Sequence, residues 1–165
     1  YGLVEGCLSE QMTVEPTTAY GKAKNLLRTF LQDLHKNYSF GLKWVRLFYL
    51  YGERQSSKSL ISQLKEAIKK GEQKFNMSGG QQIRDFLDVN LAAEYLVTIA
   101  LQDSITGVIN CGSGCGITVE HFVKQYLDKH KLRMELNLGY YPYTDYEPMR
   151  FWSNNSRLNQ ILENE

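Results

Sequence analysis

The sequence carries no surplus of either charge: nineteen lysines and arginines stand against eighteen aspartates and glutamates. Nucleic acid and anionic membrane surfaces are met by clustered basic excess, so neither is an expected partner. The Lys65, Lys69, Lys70 and Lys74 cluster reads as a solvated face. No apolar run approaches the roughly 20 residues that a helical membrane span requires. Cysteine is scarce: Cys7, Cys111 and Cys115 are too few for a disulfide framework, and none has C-x-x-C spacing. A reduced, cytoplasmic setting is the expectation. His35, His121 and His130 lack ligand spacing, so no metal is expected. Internal repeats and low-complexity tracts are absent as well. Position 1 is Tyr, not Met, with no signal-peptide pattern, and the chain is expected to begin inside a longer protein.

What remains is an ordinary globular composition, 42% hydrophobic and 22% charged over 165 residues, enough for one domain with a sizeable core. Pro16-Thr17-Thr18 reads as a helix entrance. Ala23, Leu26, Leu27, Phe30, Leu31 and Leu34 then recur at amphipathic helical spacing. Residues 41–51 read as one strand buried on both faces, ended by Gly52. Residues 58–70 predict a helix ended by Gly71, and 74–77 and 83–89 predict short strands. A helix over 91–102 and a strand over 108–111 follow. Thr118 caps another helix, 133–138 predicts a strand, and 139–153 an ordered loop. Asn154 or Asn155 opens a last helix. Strands and helices alternate, which makes the class α/β.

Tyr20 and Lys24 are the most informative pair. Four residues apart on a helix, they project from nearly the same side. An ammonium beside a phenol stabilises the phenolate and draws the Tyr pKa below its usual value of about 10. Such a tyrosine passes a proton to or from a carbinol oxygen. Because Tyr20, Lys24, Leu27 and Leu31 share one line, the pair is expected to extend a buried stripe.

Taken in order, several segments resemble one family. They are Tyr1-Gly2; Pro16-Thr17-Thr18-Ala19-Tyr20-Gly21-Lys22-Ala23-Lys24; Arg46-Leu47-Phe48-Tyr49-Leu50-Tyr51-Gly52; Arg84-Asp85-Phe86-Leu87-Asp88-Val89; the turn Ile109 to Gly114; and Phe151 to Leu158. Together they are similar to extended short-chain dehydrogenases/reductases, and more narrowly to NAD-dependent epimerases/dehydratases acting on nucleotide sugars. The resemblance implies the C-terminal part of a Rossmann-like fold with a smaller mixed substrate-binding domain. Residues 1–57 would end the Rossmann-like part. Residues 58–165 would be mainly substrate-binding, with a returning helix and strand near 91–111.

The same resemblance implies catalytic roles for Tyr20 as general acid/base and Lys24 as its partner and ribose ligand. NAD or NADP would also lie against Phe48, Tyr49 and Leu50. Arg84, Tyr49 and Thr18 would meet the nucleotide-sugar substrate. For Arg84, charge-assisted forked bonding suits a pyrophosphate, the alternative being an ion pair with Asp85 or Asp88. A homodimer through the Tyr20 helix is implied too.

Several positions depart from the family pattern. The usual Ser/Thr helper would precede Tyr1, and the glycine-rich phosphate loop lies nowhere in these residues. Position 49 is Tyr where many relatives have Asn, Asn90 replaces a frequent acid, and a common loop Arg is Thr144, with Arg150 nearby. Gly112-x-Gly114-x-Gly116, with Glu135 beyond it, imitates a dinucleotide fingerprint, but its third Gly comes one residue early. It reads as a structural turn. This chain alone is expected to be inactive, with an exposed apolar sheet edge and helix face. The alternative is a non-catalytic binding or assembly module in which Tyr20 and Lys24 are relics.

Overall fold

The computed structural model describes residues 1–164. In chain order the elements are β1 (Gly6–Leu8), α1 (Ala19–Asn37), β2 (Lys43–Leu47), β3 (Tyr49–Tyr51), α2 (Leu60–Lys69), β4 (Lys74–Asn76), β5 (Ile83–Asp88), α3 (Val89–Leu101), β6 (Gly107–Cys111), β7 (Gly116–Thr118), α4 (Val119–Lys129), β8 (Glu135–Asn137), β9 (Phe151–Ser153) and α5 (Ser156–Glu163). The mixed α/β class follows. No described helix is long and apolar enough to cross a membrane.

Four small sheets share the strands. β1 pairs with β9, β2 with β6 and β4 with β8, all parallel, while β5 lies between parallel β3 and antiparallel β7. Residues 41–51 are therefore not one strand. The chain leaves β6 and joins β5 at Phe48, whose N–H still donates to Cys111 O at 3.1 Å. Burial on both faces also fails there: Leu47 of β2 is 47% exposed and Tyr49 of β3 37%, both strands being edges among the described residues. The strands β1, β7 and β9 were not predicted, and residues 139–153 end in one of them.

Two main cores flank these sheets. One gathers Ile61 and Leu64 of α2, Phe75 of β4, Met77, and Phe122, Val123 and Leu127 of α4. The spacing of those helical residues is what turns each helix inward. Ser59 and Thr118 cap the two helices through their hydroxyls, and Gly71 takes the positive φ that follows α2. The second core joins Ile99 of α3, Ile109 of β6, and Leu158 and Ile161 of α5. Lys43 braces it, its ammonium donating to the carbonyls of Ala100 and Gln102 at the end of α3.

α1 corrects an expectation. It contains no buried residue: Tyr20 is 74% exposed, Leu26 71% and Phe30 61%. The amphipathic stripe is real, but its Leu26, Leu27 and Phe30 stay exposed and Leu31 and Leu34 are only partly covered among the described residues. The expected uncovered helix face and sheet edge are both present.

Candidate active site

Thr18 sets the entry of α1. Its Oγ1 accepts from Gly21 N at 3.1 Å, so its hydroxyl serves first as the N-cap. Gly21 is the residue that fits this cap, since a Cβ there would lie 3.0 Å from Pro16 Cβ and 3.1 Å from Thr18 Oγ1. One turn inside the helix, Lys24 Nζ sits 5.7 Å from the centre of the Tyr20 ring. The two side chains converge, although on an exposed helix face.

Tyr20 and Lys24 form one side of a trough of about 810 Å³, with Arg46, Phe48, Tyr49 and Leu50 also lining it. The structure thus brings together the five residues expected around the cofactor. They meet where the chain passes from the β2–β6 sheet to the β3–β5 sheet. Sequence reasoning missed the trough's inner wall. There the Arg46 guanidinium stacks on the Tyr1 ring at 4.5 Å, and the Tyr1 hydroxyl donates to Asn110 Oδ1. Burial pushes the Tyr1 phenol above its ordinary pKa, against the pull of Arg46. Asn110 is fixed in turn by donating to Leu8 O at 2.8 Å and Glu10 Oε1 at 2.9 Å.

Arg84 does not line this trough but lies directly behind it. Its guanidinium is centred 4.7 Å from the Phe151 ring and 5.6 Å from the Tyr49 ring, and both rings face the trough. Arg84 is only 2% exposed. The NH1 group donates to Ile83 O and Met149 O, while NH2 pairs with Glu147 Oε2 at 3.1 Å. Its carboxylate partner is therefore Glu147, neither Asp85 nor Asp88. Glu147 also accepts from the Tyr49 hydroxyl at 3.2 Å. Burial, then the Glu147 charge, raise the Tyr49 pKa, so its phenol is neutral at physiological pH. Among the departing positions, Arg150 pairs with Glu5 at 3.4 Å, and Thr144 is exposed on the same loop.

The two acids near Arg84 are committed elsewhere. Asp88 caps α3 by accepting from Asn90 N at 2.8 Å. Asp85, fully buried, gathers the N–H groups of Ser113, Gly114 and Ser153 and the hydroxyls of Ser113 and Ser153. The Gly-x-Gly-x-Gly turn therefore spends N–H groups of Ser113 and Gly114 on Asp85. Gly112 is the residue that permits this approach: a Cβ would fall 2.4 Å from Ser153 Oγ and 2.5 Å from Asp85 Oδ2. The turn is structural, as its spacing suggested. Asp85 also combines with burial, the larger cause, to push the Cys111 thiol up to about 11.

Comparison with known proteins follows the same lines. The model of the family described as "NAD dependent epimerase/dehydratase family" matches residues 1–112. A curated relative, the dTDP-6-deoxy-L-talose 4-dehydrogenase (NAD(+)) of Aggregatibacter actinomycetemcomitans, is 25% identical over 153 residues, which are 92% of this chain and 56% of that protein. The UDP-glucuronic acid 4-epimerase from Bacillus cereus, solved with UDP-glucuronic acid and NAD, superposes with a TM-score of 0.84 at 23% identity. That match covers 100% of this chain and 52% of the epimerase chain. The UDP-N-acetylglucosamine 4-epimerase from Methanobrevibacter ruminantium M1, solved with UDP-N-acetylmuramic acid, gives 0.83 at 24% identity, over 93% of this chain and 50% of that one. The chain spans about half the length of these proteins. They share its mixed α/β, Rossmann-like fold.

Proposed function

Because the chain belongs to the NAD dependent epimerase/dehydratase family, we propose that it forms the part of a nucleotide-sugar epimerase, dehydratase or 4-keto-reductase that carries the proton-transfer tyrosine. One observation carries this reading: Tyr20 and Lys24 converge on the wall of a trough that Phe48, Tyr49 and Leu50 close from the other side. The donor set suits the nicotinamide-ribose end of NAD or NADP, with an ammonium and a phenol for hydroxyl groups and an apolar rim for a flat ring. A bound nicotinamide supplies or accepts the hydride at a sugar carbon.

Several other tasks fall to this chain's side chains. Tyr20 gives or takes the proton at the sugar oxygen. Lys24 holds a ribose hydroxyl and balances the negative charge that develops on the Tyr20 oxygen. Phe48 and Leu50 keep water from the ring. Tyr49, neutral and donating, addresses the substrate, and Thr18 offers a hydroxyl to it. Arg84 provides the cation for the substrate's diphosphate. Residues 1–57 then belong to the Rossmann-like part and 58–165 mainly to the substrate side. The exposed stripe of Leu26, Leu27 and Phe30 supports a homodimer through α1. That same stripe favours the second reading, a non-catalytic assembly module.

A screen of UDP- and dTDP-sugars with NAD(P), following the 4-keto chromophore, tests the proposal on the protein made from its complete reading frame. Turnover that disappears in Tyr20→Phe is expected, whereas turnover indifferent to that change rejects the assignment. The 165-residue chain by itself is expected to be inactive, and micromolar NAD(H) binding by it would count against that expectation.

A further inference from the structure

Glu147 occupies a particular place relative to Arg84. The buried guanidinium gives NH1 to two backbone oxygens of its own surroundings, Ile83 O and Met149 O, and is flanked by the rings of Tyr49 and Phe151. The Glu147 carboxylate meets NH2, on the side that leads outward. Glu147 is itself half-exposed, and its other oxygen takes the Tyr49 hydroxyl. It belongs to the long segment between β8 and β9. That segment is tied at its start, where Tyr140 N donates to Met77 O and the Tyr143 hydroxyl accepts from Gln81 N. It is tied again at its end, where Met149 N and Arg150 meet Glu5. Among the described residues, the hydrogen bonds joining residues 144–148 to the rest of the fold all come from the Glu147 side chain.

We infer that Glu147 is a displaceable internal anion, a latch that holds Arg84 and Tyr49 until a phosphate group of the ligand takes its place. This deepens the proposed function and rests on its reading of Arg84. A buried guanidinium stripped of its counter-ion is strongly destabilised, so Arg84 exchanges one anion for another and is never left bare. The exchange conserves charge: one carboxylate leaves and one phosphate oxygen arrives. The diphosphate of a nucleotide sugar offers four non-bridging acceptor oxygens, two on each phosphorus, to a forked donor, which favours the incoming partner. Release of Glu147 also frees the Tyr49 hydroxyl to turn to the ligand in the trough. Binding and the loosening of residues 144–148 are then one event. Selectivity follows as well, because a neutral sugar has no group with which to displace the carboxylate.

The experiment titrates UDP and inorganic pyrophosphate into the 165-residue chain and into Glu147→Gln and Glu147→Ala, recording amide hydrogen exchange over residues 139–150 in parallel. Glu147→Gln keeps an acceptor oxygen for Arg84 and is expected to fold, Glu147→Ala is the more destabilised of the two, and the exchange measurement on the unchanged chain needs no variant. The expected result is affinity about tenfold or more higher in Glu147→Gln, with faster exchange at 144–148 of the unchanged chain when UDP is bound. Equal or weaker binding by both variants, or UDP binding that leaves exchange at 144–148 unaltered, overturns the latch. Arg84→Lys separates this from the underlying reading. Affinity that depends on Arg84 but not on Glu147 refutes the latch alone. Affinity indifferent to Arg84, or no binding by any of the four proteins, removes the anion site and the latch together.

Discussion

Changing Asp85 to Asn preserves the shape of the side chain while deleting its charge and one acceptor oxygen. Suppose the remaining oxygen keeps the Ser113 N–H and hydroxyl, both at 2.6 Å in the parent. The new NH2 group then faces Ser153 N, formerly 2.9 Å from Oδ2, and Gly114 N, formerly 3.1 Å from it. Gly114 N retains Ser153 Oγ at 3.2 Å, and the Ser153 hydroxyl turns to Asn155 Oδ1 at 2.6 Å. Ser153 N–H is left buried and without an acceptor, which costs about 1–3 kcal/mol. Loss of charge assistance at Ser113 adds about 1 kcal/mol. Flipping the amide merely moves the orphan to Ser113. A destabilisation of about 3 kcal/mol is expected from urea unfolding followed by tryptophan fluorescence, since Trp152 adjoins Ser153 in β9. Asp88→Asn is the control, with an expected cost below about 1 kcal/mol because Asn caps a helix as well as Asp does. A loss below about 1 kcal/mol in Asp85→Asn would refute the idea that this carboxylate binds β5, β9 and the 112–116 turn together.

Other outcomes follow from the same geometry. In the protein made from its complete reading frame, Tyr20→Phe and Lys24→Met should each lower turnover by about a hundredfold or more, with circular dichroism unchanged. Cys111 should resist thiol reagents in the native chain at pH 8, while exposed Cys7 and Cys115 react. Its thiol is raised from 9.0 to about 11, so the stability from keeping it neutral is complete below pH 9 and is lost as pH climbs to about 11. That loss is on the order of 2–3 kcal/mol, and Cys111→Ala should flatten this part of the alkaline unfolding curve. Phe30→Glu should abolish any self-association seen by sedimentation velocity, and association that persists removes α1 from the interface.

The helices were legible because their apolar residues keep a 3.6-residue period over two or more turns. Ile61 and Leu64, or Phe122, Val123 and Leu127, identify a buried face without knowledge of what covers it. That strength is also why α1 was misjudged: Leu26, Leu27 and Phe30 announce a face that wants a partner, and periodicity says nothing about whether this chain supplies one. The break at Phe48 was hidden in an unbroken run of strand-forming residues, since a change of pairing partner leaves no mark on composition. Three-residue strands such as Gly6–Leu8 and Gly116–Thr118 are too short for alternation to show. The convergence of Tyr20 and Lys24 was readable from local spacing. The partnership of Arg84 with Glu147 spans 63 positions, and the acid that proximity suggested, Asp85, was already saturated by donors from two distant segments.

The passage at Phe48 has a further consequence. Nine consecutive residues, 43–51, serve two neighbours, one anchored to the α3–α5 core and the other to the α2–α4 core. The seam between them falls on the residues that border the trough. Under the proposed function, changes on the Arg84 side of this join leave the Tyr20 side undisturbed as long as the join itself is kept.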